Sequence, residues 1–289
     1  LQITGVEALT RWFEAGEGEI TPSEFIPLAE ECGLISQIDD YFPPLEGNTV
    51  IGPMVQIGWG TPKTRLTAEI GVLVSLPEGK IGVIGTIAVL LPDPAAPLLS
   101  LNLDVLGVID VPGGTFLLAA SLYDSQLLQT IELSGDMGAF LSTRDTPYFL
   151  LSVGGYNPGF QPPSIVPAAL HDLRRMRASI NIGTTVSISI DSYFALTSNT
   201  VQFGSEVFME ASVRIWPVTY TARGELGFHI MLRFSPFKIL ADFEASIGVY
   251  SGNKELMGVH LAAHLDDLEK QMRDAATDLD FETAARLRD

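Results

Sequence analysis

Hydrophobic and polar residues alternate with a period of two along most of the chain between residues 41 and 263. The segments 99–111, 180–191 and 222–234 show the alternation most clearly. This spacing places apolar side chains on one face of a half-buried strand and polar side chains on the other. We therefore predict long β-strands with one buried apolar face. Six residues represent that face: Leu101, Leu103, Ile188, Ile190, Phe228 and Ile230.

Short turn sequences separate these segments, namely PEGK, PDPAAP, VPGG, NPGFQPP, TSNT and SGNK. Helical segments long enough to connect parallel strands do not intervene, which favours an antiparallel meander. One short helix is expected at residues 167–176. The sequence thus predicts a mainly β fold, built as an open sheet, a sandwich or a partial barrel.

The periodicity differs at both ends of the chain. Residues 1–40 read as a short strand followed by a helix that begins at the N-cap residue Ser23 and ends near Gly33. Residues 264–289 have helical spacing, with a turn between Asp278 and Asp280, and they predict a helical hairpin. The chain therefore divides into three segments: 1–40, 41–263 and 264–289.

Composition narrows the classes of function. The chain has 289 residues with a net charge of −18, and only 17 basic residues oppose 35 acidic ones. Nucleic-acid binding normally requires clustered Lys and Arg, so we expect no nucleic-acid partner. The longest strongly apolar run, Ile81 to Leu91, is shorter than the ~20 residues that span a bilayer as a helix. No signal peptide is visible, and Cys32, the one cysteine, forms no intramolecular disulfide. These features predict a soluble, cytoplasmic protein without a membrane span.

The N-terminal segment contains E-A-L-x-R-W at Glu7–Trp12 and P-x-x-F-I-P-L-A-E at Pro22–Glu30. These motifs resemble the EAL domain of bacterial cyclic-di-GMP phosphodiesterases. The resemblance implies that Glu7 is a carboxylate ligand of Mg²⁺ or Mn²⁺ and that Arg11 contacts a substrate phosphate. The further carboxylates, Asn and Lys of that family are not found after Asp40. Because a hard divalent cation needs several oxygen ligands, we expect no hydrolysis of cyclic-di-GMP.

The middle segment contains YFPPLEGNTVIGPMVQIGWGTP, LLSVGGYNPGF, SYFALTSNTVQFG and RFSPFKILADF. These phrases resemble a large, uncharacterised bacterial β-rich family, which implies a fold but no chemistry. GWGTPKT at residues 58–64 departs from phosphate-loop spacing and predicts a β-turn. His260 and His264 have the spacing of a helical zinc site, but surface or capping histidines are favoured. Trp59, Trp216 and Tyr156 either line a ligand groove or pack in the core.

The tail LEKQMRDAATDLDFETAARLRD, residues 268–289, resembles the UVR motif of bacterial excision-nuclease subunits. The resemblance implies a helical hairpin that pairs with another copy of the motif. The protein-contact residues would be Leu268, Met272, Phe281, Ala284 and Leu287. The alternative is an amphipathic helix that packs on the sheet of the same chain.

Three functions follow from these segments. The first is a non-catalytic β-rich scaffold or binding module whose tail contacts another protein or a second copy, without a cofactor. The second is a phosphodiesterase dependent on Mg²⁺ or Mn²⁺, or a degenerate cyclic-di-GMP sensor. The third is a carrier of lipid or another apolar ligand. Because each resemblance is cut short at its edges, a chimeric or designed chain is a further interpretation.

Overall fold

The computed structural model describes residues 12–14, 18–20, 42, 49–60, 63, 65–144, 146–252 and 254–266. The regular structure of these residues is almost entirely β, with antiparallel strand pairs, so the predicted mainly β antiparallel fold is confirmed. By contacts, the chain divides into two units. One comprises Leu1–Gln129 with Gly138–Phe149, and the other comprises Thr130–Met137 with Leu150–Asp289.

The first unit combines short strands at its start with a meander of longer strands. Its strands are β1 (Trp12–Glu14), β2 (Gly18–Ile20), β3 (Thr49–Ile51), β4 (Met54–Trp59), β5 (Leu66–Leu76), β6 (Lys80–Leu91), β7 (Leu99–Asp110) and β8 (Thr115–Leu127). β1 pairs with β2 alone, whereas β3 and β4 both pair with β5, and β5 to β8 follow as successive hairpins. The buried side chains of this unit include Phe42, Leu106, Val108, Leu117 and Phe140.

Two strands, β9 (Ile131–Ser142) and β10 (Tyr148–Val153), contribute residues to both units. The second unit continues with β11 (Met176–Ile182), β12 (Val186–Thr197), β13 (Thr200–Ile215), β14 (Val218–Phe234), β15 (Phe237–Ser251) and β16 (Lys254–Asp266). β12 to β16 form a five-stranded meander, and β10 and β11 both pair with β12. The first residues of β9 pair with β11.

The sequence predicts helices in three segments: after Ser23, at residues 167–176 and near the C-terminus. Residues 167–176 form only a 3₁₀ helix, Ala168–Leu170, so the longer helix predicted there is wrong. The physical reason is that the backbone N–H of Arg174 donates to the carboxylate of Asp136 rather than to a helical carbonyl. At the N-terminus the described residues form the β1–β2 pair, and the predicted helix from Ser23 lies outside them. At the C-terminus β16 continues to Asp266, and the hairpin expected beyond it lies outside the described residues.

The register of β12 to β16 sorts their side chains onto two chemically distinct faces. One, which we call the polar face, carries every Asp, Glu, Lys and Arg of β12 to β15. The other, which we call the uncharged face, carries none on these strands or on residues 257–265 of β16. Several of its cross-strand rows are apolar, as in Ile190–Val207–Leu226 and Phe194–Phe203–Ile230, and the row between these two contains the hydrogen-bonded pair Ser192 and Ser205.

The buried core of the second unit lies on the polar face, not on the uncharged one. The most deeply buried residues there include Ser152, Leu170, Ala195, Gln202 and Met231. None of the six apolar residues predicted to be buried falls in the buried class, and Ile190 is 43% exposed. That prediction is wrong, and for the four residues on β12 and β14 the reason is that alternation determines which residues share a face but not which face the chain covers. The segment between β10 and β11 lies over the polar face.

No helix among the described residues is long and apolar enough to cross a membrane.

Candidate functional site

The segment 154–175, which connects β10 to β11, turns sharply at two consecutive glycines. Gly154 and Gly155 have φ angles of +77° and +81°, a region that favours glycine. A Cβ on Gly154 would lie 2.3 Å from the carbonyl oxygen of Ser192 on β12. The hydroxyl of Tyr156 donates to the carbonyl of Leu170 at 2.6 Å, and this bond closes the segment on itself. The connection therefore packs directly against the polar face of the sheet.

Tyr193 lies at the centre of this contact. It is 4% exposed, and its hydroxyl accepts a hydrogen bond from Nδ2 of Asn157 at 3.2 Å. The same hydroxyl lies 3.3 Å from Nδ1 of His229, whose Nε2 lies 3.0 Å from the carboxylate of Glu206. Because a carboxylate only accepts, Nε2 carries a proton, and in the neutral imidazole Nδ1 accepts from Tyr193. A hydrogen-bonded series thus runs from Asn157 through Tyr193 and His229 to Glu206.

Arg175 closes the cluster from the side of the connection. Its guanidinium carbon lies 4.1 Å from the centre of the Tyr193 ring. Nη1 donates to the carbonyls of Gly154 and Tyr156 at 2.9 and 2.7 Å. Burial lowers the pKa of Arg175 from its ordinary value, although nearby acidic groups oppose this effect. The cation therefore fastens the turn to the aromatic ring beneath it.

Gln202 and Thr200 on β13 and Thr197 at the end of β12 extend the cluster. The side-chain oxygen of Gln202 accepts from the backbone N–H of Asn157 at 2.9 Å, and its Nε2 donates to Oγ1 of Thr200 at 2.9 Å. The hydroxyl of Thr200 lies 2.8 Å from that of Thr197. These polar groups satisfy one another, as buried polar groups must if they are not to destabilise the fold.

The chemistry of the Tyr193 cluster is that of a structural clamp. Burial raises the pKa of Tyr193 to about 12, an effect that the hydrogen bond from Asn157 partly offsets. The phenol is therefore protonated at neutral pH and acts as a hydrogen-bond donor rather than as a nucleophile or base. Its neighbours hold the hydroxyl on both sides, so the arrangement positions the connection on the sheet.

Next to the cluster, an open groove of about 520 Å³ runs across β13 to β16 on the polar face. Its lining includes the charged side chains of Glu206, Arg223, Glu225 and Glu244, and two of them form hydrogen bonds to neighbouring side chains. Nε of Arg223 donates to Glu210 at 2.9 Å, and the hydroxyl of Ser246 donates to Glu225 at 3.4 Å. Within the part of the chain that the structure describes, no group of three or more His, Cys, Asp or Glu side chains could hold a metal ion.

The uncharged face is the second candidate surface. Its large apolar side chains project from all five strands of the β12–β16 meander. Leu226 on the central strand is 61% exposed, and Ile247 on β15 is 65% exposed. Other exposed members are Ile190, Phe194, Phe203, Met209, Phe243, Met257, Val259 and Leu261. Contiguous exposed apolar surface of this extent is typical of a binding surface.

Most of the residues singled out by sequence motifs lie outside the described residues. These are Glu7 and Arg11 of the EAL-like motif, and Leu268, Met272, Phe281, Ala284 and Leu287 of the UVR-like tail. The structure therefore neither brings them together nor separates them.

The remaining candidate residues, two histidines and three aromatic residues, lie within the described part of the chain. His260 and His264 lie on strand β16 rather than on a helix, and each faces a carboxylate, Glu255 and Asp242 respectively. Of the aromatic candidates, Tyr156 is buried, whereas Trp59 and Trp216 are largely exposed.

At residues 58–64, the backbone N–H of Arg65 donates to the carbonyl of Trp59 at 2.9 Å, as expected where the chain turns back. Lys63 there forms an exposed ion pair with Asp93 at 3.0 Å.

The sequence reading missed the residues of the Tyr193 cluster. A signal was present, because LLSVGGYNPGF combines two adjacent glycines with Tyr156 and Asn157, and SYFALTSNTVQFG concentrates Tyr, Thr, Asn and Gln in one hairpin. Residues of these types at strand ends and turns can form buried hydrogen-bond networks. Their partnership depends on contacts across many residues, such as Asn157 with Gln202, which local periodicity does not reveal.

Comparison with known proteins yields two family matches. A model described as a family of unknown function (DUF6603) matches residues 18–267, and a model of the UvrB/uvrC motif matches residues 264–289. The resemblances expected for the middle segment and for the tail are thereby confirmed, and the first match begins well before residue 41. No solved structure matches the chain.

Among curated proteins, the bifunctional diguanylate cyclase/cyclic di-GMP phosphodiesterase MucR of Pseudomonas aeruginosa is 57% identical over 37 residues. That match covers 13% of this chain and 5% of MucR. It is short, and the chain spans only this small part of the relative.

Proposed function

The chain belongs to the family of unknown function DUF6603, and we propose that it is a non-catalytic β-rich scaffold that binds protein through the uncharged face of its second unit. The observation that carries this proposal is the separation of charge between the two faces of β12 to β15, which residues 257–265 of β16 continue. Covering this exposed, uncharged face with a matching apolar surface lowers the free energy, because water is excluded from the apolar side chains.

The polar face supports the same proposal from the opposite side. Its buried groups are bound to one another, and the Tyr193 hydroxyl is held by Asn157 and His229. A rigid clamp of this kind keeps the sheet in one shape. A preformed face binds with a smaller loss of conformational entropy than one that must order on binding.

Site-specific photo-crosslinking tests the proposal. A photo-reactive amino acid in place of Leu226 lies at the centre of the uncharged face, and one in place of Thr219 lies on the polar face of the same strand, where it is also exposed. We expect covalent protein adducts from position 226 and few from position 219. Adducts to lipid alone from position 226 would contradict the protein scaffold and favour a carrier of apolar ligands.

The tail adds a second contact to this proposal. The UvrB/uvrC motif match covers residues 264–289, and the UVR resemblance implies contacts through Leu268, Met272, Phe281, Ala284 and Leu287. Phe281→Ala removes the largest of these side chains and should weaken whatever contact the tail makes, because truncating a well-packed Phe costs about 3–5 kcal/mol. If the variant and the wild type have the same oligomeric state and the same melting temperature, the tail has no contact role.

The match to MucR motivates a second candidate function for the first segment. In this alternative, Glu7 would help hold Mg²⁺ or Mn²⁺ and Arg11 would contact the phosphate of cyclic-di-GMP. We expect no hydrolysis, since a single carboxylate supplies too few oxygen ligands for such a cation. Turnover of cyclic-di-GMP that is lost in Glu7→Ala would establish this function.

A further inference from the structure

We infer that the partner of the uncharged face is a second copy of this chain, packed face to face so that two β12–β16 sheets enclose a common apolar layer. This inference rests on the proposed function and names the protein that the face binds. Four properties carry it: the size of the face, its lack of charge, the charged lining of the neighbouring groove and the position of the charges on the reverse side.

The size of the face matches what a stable dimer needs. The five strands have 12 to 17 residues each. With strands about 4.8 Å apart and residues rising about 3.3 Å, the face covers on the order of 1,000 Å². A standard protein–protein interface buries about 800 Å² on each partner, so one such face suffices.

The chemistry of the face is self-complementary. A surface with no charged side chain requires a partner surface that is also uncharged, because an unpaired buried charge is strongly unfavourable. The chain itself offers such a surface. An isologous contact, in which the same patch meets its copy across a two-fold axis, is the commonest arrangement of protein dimers.

The lining of the groove in the second unit favours a second copy over a small apolar ligand as the partner. The cavity of about 520 Å³ is lined by the charged side chains of the polar face, including Glu206, Arg223 and Glu225. Small ligands bind in concave sites that bury most of their surface, so the groove suits a polar molecule better than an apolar one. A sheet face studded with Leu, Ile and Phe side chains interdigitates with another such face, as in a β-sandwich.

The placement of charge also favours this arrangement. The chain has a net charge of −18, so two copies repel one another in most orientations. Face-to-face packing separates the two sheets by about 10 Å and directs both polar faces outwards into water. At physiological ionic strength this separation, together with the outward projection of the side chains, exceeds the screening length of about 8 Å.

Sedimentation velocity of the full chain over a range of concentrations tests the inference. One copy has a mass of 31.2 kDa, and we expect a species of twice that mass. Leu226→Glu and Ile247→Glu each place a carboxylate within the contact and should raise the dimer Kd at least about 30-fold. The matched control, Thr219→Glu, adds the same charge on the polar face of the same strand and should leave the Kd unchanged. Circular dichroism confirms that each variant keeps the wild-type β spectrum.

The outcomes separate this inference from the proposed function. A wild-type chain that stays monomeric at high concentration overturns the second copy as partner. If position 226 then still crosslinks to a different protein, the proposed function stands without this inference. A dimer that persists in both Leu226→Glu and Ile247→Glu also overturns the inference, because the contact would lie elsewhere. A monomer that retains lipid overturns both proposals.

Discussion

Tyr193 and Phe194 are neighbours on β12, yet their side chains lie in opposite environments. Tyr193 is 4% exposed and forms hydrogen bonds to Asn157 and His229, whereas Phe194 is 43% exposed and lies among other apolar side chains. The two residues represent the two faces of one sheet. The face that carries the charges contains the buried core, and the face without charges is open.

This difference shows that the position of the 154–175 connection, and not hydrophobicity alone, determines which face of the sheet is buried. The segment 154–175 covers the polar face because its own polar groups find partners there, as in the bonds of Asn157 to Gln202 and Tyr193. The covered polar groups contribute stability only as a satisfied network, since a buried donor without an acceptor costs about 1–3 kcal/mol. The apolar face is open, so a partner that covers it gains the free energy of burying apolar surface.

The largest effect is expected where the connection meets the sheet. Gly154→Ala should lower the free energy of unfolding by about 3–5 kcal/mol, because it adds a Cβ at a positive φ angle and drives it into Ser192 and Met176. Chemical denaturation followed by circular dichroism measures this change.

The matched control for Gly154→Ala is Gly183→Ala. Gly183 has a φ angle of +61°, but a Cβ there meets no atom within 4 Å. This substitution should cost only about 1–2 kcal/mol through backbone strain. Equal costs at both glycines would mean that close packing of the connection contributes nothing.

Tyr193→Phe tests the hydrogen-bond network without removing the ring. It should lower the free energy of unfolding by about 2–3 kcal/mol, because Asn157 and His229 each lose a buried partner. The comparison is Phe194→Leu on the opposite face, which should cost less than about 1 kcal/mol in the monomer. A larger cost at position 194 would show that the uncharged face, and not the polar one, stabilises this unit.

Alkaline pH probes the same phenol. The pKa of Tyr193 is raised to about 12 in the folded protein, above its ordinary value of about 10. Between these values the unfolded chain loses a proton that the folded chain keeps, so stability that is fully present below pH 10 is lost as the pH rises towards 12. The loss should reach about 2 kcal/mol at pH 12. Tyr193→Phe lacks this group, so the difference in free energy of unfolding between the wild type and the variant should fall between pH 10 and pH 12. A difference that does not change over this range would mean that Tyr193 has its ordinary pKa in the folded protein.

The smallest effect is expected at the ion pair between Arg223, which lines the groove, and Glu210. Arg223 and Glu210 are 47% and 46% exposed and lie 2.9 Å apart. A double-mutant cycle with Arg223→Ala and Glu210→Ala should give a coupling of about 0.2–1 kcal/mol that falls as salt is added. A coupling well above this range would show that the groove belongs to the rigid part of the polar face.

The alternation of residues was sufficient to predict the strands and their shared faces. Every charged residue of β12 to β15 lies on one side, as the period of two requires once a strand is extended. Turn sequences such as TSNT and SGNK marked the hairpins. The short apolar pattern at 167–176 was misleading, because Asp136, 38 residues away from Arg174 along the chain, captures its backbone N–H.

The uncharged face and the Tyr193 cluster differ in how far the sequence alone predicts them. The uncharged face could be predicted from the sequence as a set of residues, although the prediction that they are buried was wrong. The Tyr193 cluster could not, since its members come from the connection, β12, β13 and β14 and meet only after the strands pair. The residues Glu7, Arg11 and Phe281 stay predictions from motif resemblance, as they lie outside the described residues.

The sequence by itself therefore determined the mainly antiparallel β-structure and the separation of charged from uncharged side chains, because the pleat of a strand directs successive side chains to opposite sides. Only the tertiary structure decided which side is covered. That choice depends on where the segment 154–175 lies, and it lies where Asn157 bonds to Gln202 and Tyr193 and where Arg175 stacks on the Tyr193 ring. A buried polar group without a partner costs about 1–3 kcal/mol, so the polar groups of the segment favour the face that supplies their partners.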